Sequence, residues 1–238
     1  RDQEMSRGSE MCIRDRKKAA HSERVGDLAV IIAIDGPAGA GKSTVARRVA
    51  AELGVDYLDT GAMYRAVTFG VLAREIDPAD AHAVIELCGQ LELDVGVDRV
   101  IVDGVDATSA IRGPKVTSAV SSVAANPQVR SILVEQQRAW VRHRGAGVVE
   151  GRDITTVVLP DADLKLFVTA SPRVRAERRV AESGGDVDAV EASIAERDRR
   201  DETREASPLS ISSEAVVIDT SEMSICLLYT SPSPRDIS

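Results

Sequence analysis

Gly36, Gly41, Lys42 and Ser43 stand at the spacing G-x-x-x-x-G-K-[ST] inside the run "GPAGAGKST". Those residue types in that order suit the holding of phosphates. Glycines let the backbone curl until successive N–H groups face one point. A helix starting near the lysine adds unpaired N–H groups and a partial positive charge. The loop of Gly36, Pro37, Ala38, Gly39, Ala40, Gly41, Lys42, Ser43 and Thr44 is therefore expected to cradle a nucleoside triphosphate. Lys42 would reach the β- and γ-phosphates, and the Ser43 hydroxyl would ligate Mg²⁺.

A grip on a triphosphate does not choose a reaction. The NKxD string that reads guanine does not occur in the chain, and "ESGGD" (Glu182–Asp186) is a poor match to the LSGGQ of transporter ATPases. It reads more simply as a break between helices. What the chain does offer is arginines placed singly near turns. A triphosphate and a phosphorylated acceptor together bring roughly six negative charges, and their repulsion must be offset locally. Fixed guanidinium forks, which match phosphate oxygens, are the natural device. The candidates are Arg65 after "DTG", Arg130 near the start of a long helix, and Arg152 after "GVVEG". Arg197, Asp201 and Arg204, spaced i, i+4, i+7, are expected on one helical face. A solvated, salt-bridged helix explains that last set equally well from "ERDRRDETRE" alone.

The elements that must position these groups follow from periodicity. Val30–Ile34 reads as a buried strand ahead of the loop, and Lys42–Leu53 as a helix stopped by Gly54. "VDYLDTG" gives a second strand and a turn, and Ala62–Glu75 a helix. Asp77-Pro78 reads as an N-cap and first helical position, opening a helix to about Gly89. Leu91–Gly104 alternates apolar and polar residues around Gly96 and Asp98, a hairpin signal and hence a small antiparallel insert. Pro114 and Asn126-Pro127 open two more helices, the second ending near Gly145. "GVVEGRD" and "LKLFVTA" are further buried strands, and Ser171-Pro172 caps a helix to about Glu182. A charged helix over Val187–Arg204 and a last strand, "AVVIDT", complete the pattern. Strands separated by helices imply a parallel sheet covered on both faces.

Bulk properties narrow the partners. The net charge of −8 makes the surface repel DNA, RNA and anionic lipid, so any anion site must be a local cluster of Lys or Arg. Cys12, Cys88 and Cys226 form no CxxC, and no Cys/His group has metal-ligand spacing, which fits a reduced, cytoplasmic setting. His21, His82 and His143 read as solvated or packed. The most apolar stretch, "LAVIIAI", is too short to span a membrane. Residues 1–24 and 223–238 do not continue the interior patterning and read as non-native or disordered tails around a domain over 25–222.

"GPAGAGKST", "DTGAMYR", "EGRDITTVV" and "ERDRRDETREASPL" occur in this order and at these intervals. Together they resemble the bacterial cytidylate kinases, over about Val30 to Thr220. The resemblance implies a three-layer α/β P-loop NTPase fold with a five-stranded parallel core. It adds a small antiparallel β insert in the monophosphate-binding part, about residues 85–125, and a short lid over about 181–204. It implies a monomer that uses ATP and Mg²⁺ to phosphorylate CMP and dCMP. Thr60, Arg65, Arg152 and Arg204 would gather around the acceptor phosphate. Ser121, Arg130 and Asp153 would read the cytosine, and Arg197 and Asp201 would hold the sugar and close the lid. Lys42, Arg152 and Arg204 would carry the catalysis. Another small P-loop kinase acting on UMP, AMP or shikimate is the nearest rival, followed by a truncated nucleotide-binding protein without turnover. The chain departs from the family pattern at three points. Thr155 stands where glycine is common, and Glu150 where many members carry Asp. "SICLLYTSPSPRDIS" follows "VVIDTS", where members usually carry a terminal helix.

Overall fold

The apolar run ahead of the glycine-rich loop forms strand β1 (Ile31–Asp35), in a computed structural model that describes residues 29–204 and 206–223. The tails, with His21, Cys12 and Cys226, lie outside the described residues, apart from Met223 at the edge of the second. After β1 come α1 (Lys42–Leu53), β2 (Tyr57–Asp59), α2 (Thr60–Ala73) and α3 (Ala81–Gln90). Short strands β3 (Leu93–Val95), β4 (Val100–Val102) and β5 (Val105–Asp106) follow, then α4 (Pro114–Ala125) and α5 (Pro127–Arg144). The chain continues through β6 (Gly147–Glu150), a π-helical turn (Ile154–Val158) and β7 (Leu164–Thr169). It closes with α6 (Pro172–Ser183), α7 (Val187–Thr203) and β8 (Val216–Asp219).

The main sheet has the order β2-β6-β1-β7-β8, and every pairing in it is parallel. Alternate residues of each strand face opposite layers, as strand geometry requires. Ala33, Leu58 and Val149 pack into a core with α2, α3, α4 and α5, while Ile32, Ile34, Val148, Leu166 and Val168 pack against α1. Apart from the edge strand β8, whose Val216 and Val217 are exposed, the strands are buried on both faces and read as continuous apolar runs, which is why they are legible in sequence.

This order places two loops side by side. β1 and β6 are neighbours in register, Ile34 opposite Glu150. The glycine-rich loop leaves the end of one, and "GRD" leaves the end of the other. Gly36 also presses the loop against β7: its φ is +143°, and an added Cβ would lie 1.9 Å from the Val168 carbonyl oxygen. No residue with a side chain fits there.

Three expectations are corrected. The helix after "EIDP" begins at Ala81 with Asp80 as its N-cap, accepting from the Ala83 N–H; Asp77 instead closes a turn through the Ala79 N–H. Asp80 wins because residues 77–80 form a turn of their own before the helix. The antiparallel insert has three strands, ordered β3-β4-β5, since a tight turn at Asp103-Gly104 returns the chain once more. Finally, Arg204 does not continue the face of Arg197 and Asp201, because α7 ends at Thr203 and Arg204 turns out in extended geometry.

Candidate active site

The loop between β1 and α1 has the form that anion binding needs. Gly41 sits in left-handed geometry as the N-cap of α1, and no side chain caps the helix. Its first N–H groups are thus free to face a ligand. Lys42 is buried and donates to the Pro37 carbonyl at 2.8 Å, folded back over its own loop. Ser43 beside it is exposed.

Arg152 stands at the centre of the site. Its Nη1 donates to the Gly36 carbonyl at 2.6 Å, and its Nε to Asp201 at 2.9 Å. It therefore touches the phosphate-binding loop and α7 at once. Its charge reaches three other cations. Burial, then the Arg152 charge, pushes Arg197 down to about 10. Burial first, with Arg112, Arg179 and Arg152 adding to it, lowers Arg65, and burial with Arg152 lowers Lys42. Cations that depress one another in a partly buried cleft form a site short of anions. Arg65 is held by the Ile111 carbonyl and the Thr117 hydroxyl, both at 2.9 Å. Thr60 opens α2 and donates to the Glu150 carbonyl at 2.7 Å.

A second group forms beside the first. Arg130 is 3% exposed and pairs through Nη2 with Asp153 Oδ2. Arg204 approaches the other Asp153 oxygen at 3.9 Å and Asp201 at 3.9 Å. Ser121 lines a cleft of about 340 Å³ with Ser118, Arg200, Asp201 and Arg204. Ser121, Asp201 and Arg204 thus line one cleft, Arg204 also approaches the buried Arg130–Asp153 pair, and the charge of Arg152 reaches Lys42, Arg65 and Arg197. Arg204 stands beside both Asp153 and Asp201, and the charge of Arg152 reaches Arg197.

Several residues of the site escape a reading of motifs. Tyr57 donates to Glu150, which is 3% exposed. Burial, then the charge of Asp59, pushes the Glu150 carboxyl up. Arg175 packs against Gly39, donates to the Ala38 carbonyl and pairs with Asp198 of α7 at 2.6 Å. The arginine spacing in "RVRAERR" was the available signal for it. Asp35 and Thr155 are the other two, joined by two hydrogen bonds, with a third to Asp35 from the Ile154 N–H.

The donor set near the loop suits a hard divalent cation. Ser43 offers an exposed hydroxyl and acts directly on the Glu150 carboxylate, with Asp59 close by. No cluster of three or more His, Cys, Asp or Glu that could hold a metal occurs among the described residues. A cation here must complete its shell from phosphate oxygens and water, which is the habit of Mg²⁺.

Comparison with known proteins gives a consistent result. The family described as cytidylate kinase matches residues 32–228. The chain is 51% identical over 199 residues to the cytidylate kinase of Mycobacterium leprae (strain Br4923), covering 82% of this chain and 89% of that one. It is 50% identical over 208 residues to the cytidylate kinase of Corynebacterium efficiens, covering 84% and 90%. For the cytidylate kinase of Streptomyces avermitilis the identity is 47% over 203 residues, covering 83% and 88%. With the loop, the arginine cluster and the sheet order already in place, these matches across nearly the whole described body mean that the chain belongs to the cytidylate kinase family.

Proposed function

We propose that the protein transfers the γ-phosphoryl group of ATP to CMP and dCMP, giving ADP with CDP or dCDP. The position of Arg152 carries this reading: one guanidinium bonds the donor loop at Gly36 and Asp201 of α7 at once, and its charge reaches Arg65 and Arg197. Lys42 and the loop amides hold the triphosphate. Ser43, with Glu150 and Asp59 beside it, would hold Mg²⁺, which would supply neutralisation of part of the phosphate charge. Thr60, Arg65, Arg152 and Arg204 bind the acceptor phosphate, and Arg197 and Asp201 hold the sugar and help close the lid. Its attacking oxygen is already ionised, so no general base is required; alignment and charge stabilisation do the work. Asp153, fixed by Arg130, accepts from the cytosine amino group, with Ser121 and Arg204 at the same cleft. Uracil would turn a carbonyl toward that carboxylate. The segment about 181–204 acts as a lid that excludes water, hinged at Gly184-Gly185, both at positive φ. The three-stranded sheet lies within the monophosphate-binding part. The reading of a monomer rests on the family resemblance, and the buried Cys88 suits the reducing cytoplasm.

The test is phosphate transfer from ATP to CMP, dCMP, UMP, AMP and shikimate by the purified protein, with Mg²⁺ and with it chelated. CMP and dCMP are expected to be the preferred acceptors, and only with the metal. A preference for AMP or shikimate, or binding of ATP with no transfer to any acceptor, overturns the assignment.

Lys42 gives this reading a pH dependence. Burial, then Arg152, pushes its ammonium down to about 7 in the free protein, against the pull of Glu150, Asp35 and Asp59. Bound phosphates favour the ammonium, so the bound state keeps its proton to higher pH. ATP affinity is therefore full below pH 7 and weakens as pH rises above it, by roughly tenfold per unit at most. Calorimetric titration between pH 7.5 and 9, in two buffers of different ionisation enthalpy, should show proton uptake on binding that disappears in Lys42→Met. A flat affinity without uptake would refute the linkage.

A further inference from the structure

Asp35 ends β1 and is fully buried, yet among the described residues no Lys or Arg forms an ion pair in contact with it. Its carboxylate instead crosses to the neighbouring loop. Oδ1 accepts from the Ile154 N–H at 2.9 Å, and Oδ2 from the Thr155 N–H at 2.7 Å and the Thr155 hydroxyl at 2.6 Å. Ile154 and Thr155 open the π-helical turn that directly follows Arg152 and Asp153. The first N–H groups of a helical turn lack internal partners, and an aspartate just before the turn ordinarily satisfies them itself. Asp153 occupies that place and makes no capping bond. Its two oxygens face Arg130 and Arg204 instead.

We propose that Asp35 caps this turn from the adjacent strand so that Asp153 is released for acceptor recognition, and that the Thr155 hydroxyl completes the cap. Asp35 and Thr155 are positioning residues: neither reaches the cleft, and both act through Arg152 and Asp153. The geometry also accounts for threonine where glycine is common, since glycine offers the N–H but not the third bond. Three donors on one buried carboxylate are needed here because the group is out of water and has no cationic partner. Asp35 also immediately precedes Gly36, whose carbonyl holds Arg152, so one short segment fixes both residues of the "RD" pair. The inference rests on the proposed use of Arg152 and Asp153 in binding CMP.

The test compares Thr155→Val, which keeps the shape and removes the donor, with Thr155→Ser, which keeps the donor. Steady-state kinetics with CMP varied, equilibrium ATP binding and thermal denaturation are measured for each. Thr155→Val should lower kcat/KM for CMP about tenfold, the scale of one hydrogen bond to a charged group. Its ATP affinity should stay within twofold, and Thr155→Ser should restore wild-type kinetics. A folded Thr155→Val with unchanged kcat/KM for CMP overturns the proposal. So does an equal loss in Thr155→Ser, which would point to methyl packing, or an equal loss of ATP affinity, which would point to general loosening. Should Thr155→Val fail to fold, Asp35→Asn is read by the same three criteria, because its amide turns a donor toward the turn N–H groups. Wild-type protein in the same assay separates the two levels: no transfer to CMP there defeats the functional assignment, whereas normal transfer with an indifferent variant defeats only the cap.

Discussion

Arg152→Ala should lower kcat/KM for phosphate transfer to CMP by a hundredfold or more, on the order of 3 kcal/mol of transition-state stabilisation. The guanidinium is 17% exposed and already oriented by two partners, the Gly36 carbonyl and Asp201. Little reorganisation is then required at the moment charge shifts between the phosphates. Removal has a second cost. Arg197 and Arg65 lose a repelling neighbour and hold their protons more firmly, but Asp201 loses its closest cation and α7 its tie to the loop. Both kcat and the KM for CMP should therefore worsen, with the fold intact by circular dichroism. Arg152→Lys should recover only part of the loss, since one ammonium cannot match the fork that spans loop and helix. An unchanged kcat/KM in Arg152→Ala would remove the residue from the chemistry.

Asp153→Ala should be the most damaging single change to stability. Arg130 and Asp153 are 3% and 4% exposed, and the alanine leaves a guanidinium buried without its carboxylate. Breaking such a pair from one side costs about 3–5 kcal/mol, roughly 10 °C in Tm for a domain of this size. The remaining contacts of Arg130, to the Ala124 carbonyl and the Tyr64 ring, do not replace a counter-ion. Transfer to CMP should fall as well, and the preference for CMP over UMP should shrink. The double variant Arg130→Met with Asp153→Leu separates the two losses. Matched apolar groups remove both charges, so Tm should recover while activity does not. A double variant that stays as unstable as Asp153→Ala would mean that the pair is not the source of the loss.

How much of this was legible in the sequence depended on whether the information was local. β1, the loop and α1 were readable to within a residue, since glycine, proline and apolar period are local signals. The helix starts at Pro114, Pro127 and Pro172 were equally plain, each set by a proline at the first helical position. Asp77-Pro78 carries the same signal and misled, because a turn closed by Asp77 used it first and Asp80 took over the cap. The arginines were legible as a set, and their division by role rested on the family resemblance. Which cation faces which depends on where α7 ends, and Arg204 leaves the helix one residue past its last turn. Asp35 carried no signal at all. Its role arises from strand order, which sets Ile34 beside Glu150 although more than a hundred residues separate them in the chain. The cap across β1 and β6 exists only once the sheet has formed.

That adjacency also decides what can vary without harm. Donor and acceptor loops are rooted at the ends of two strands spaced about 4.8 Å apart by their hydrogen bonds. The reach between the two nucleotides is thus a property of the sheet rather than of the segments that close over it. Chimeras that exchange the three-stranded insert or the α6–α7 hairpin with those of a relative would inherit the same line of transfer. On the proposed reading such grafts would leave Arg130 and Asp153 in place, so the periphery can diversify while the line of transfer is kept.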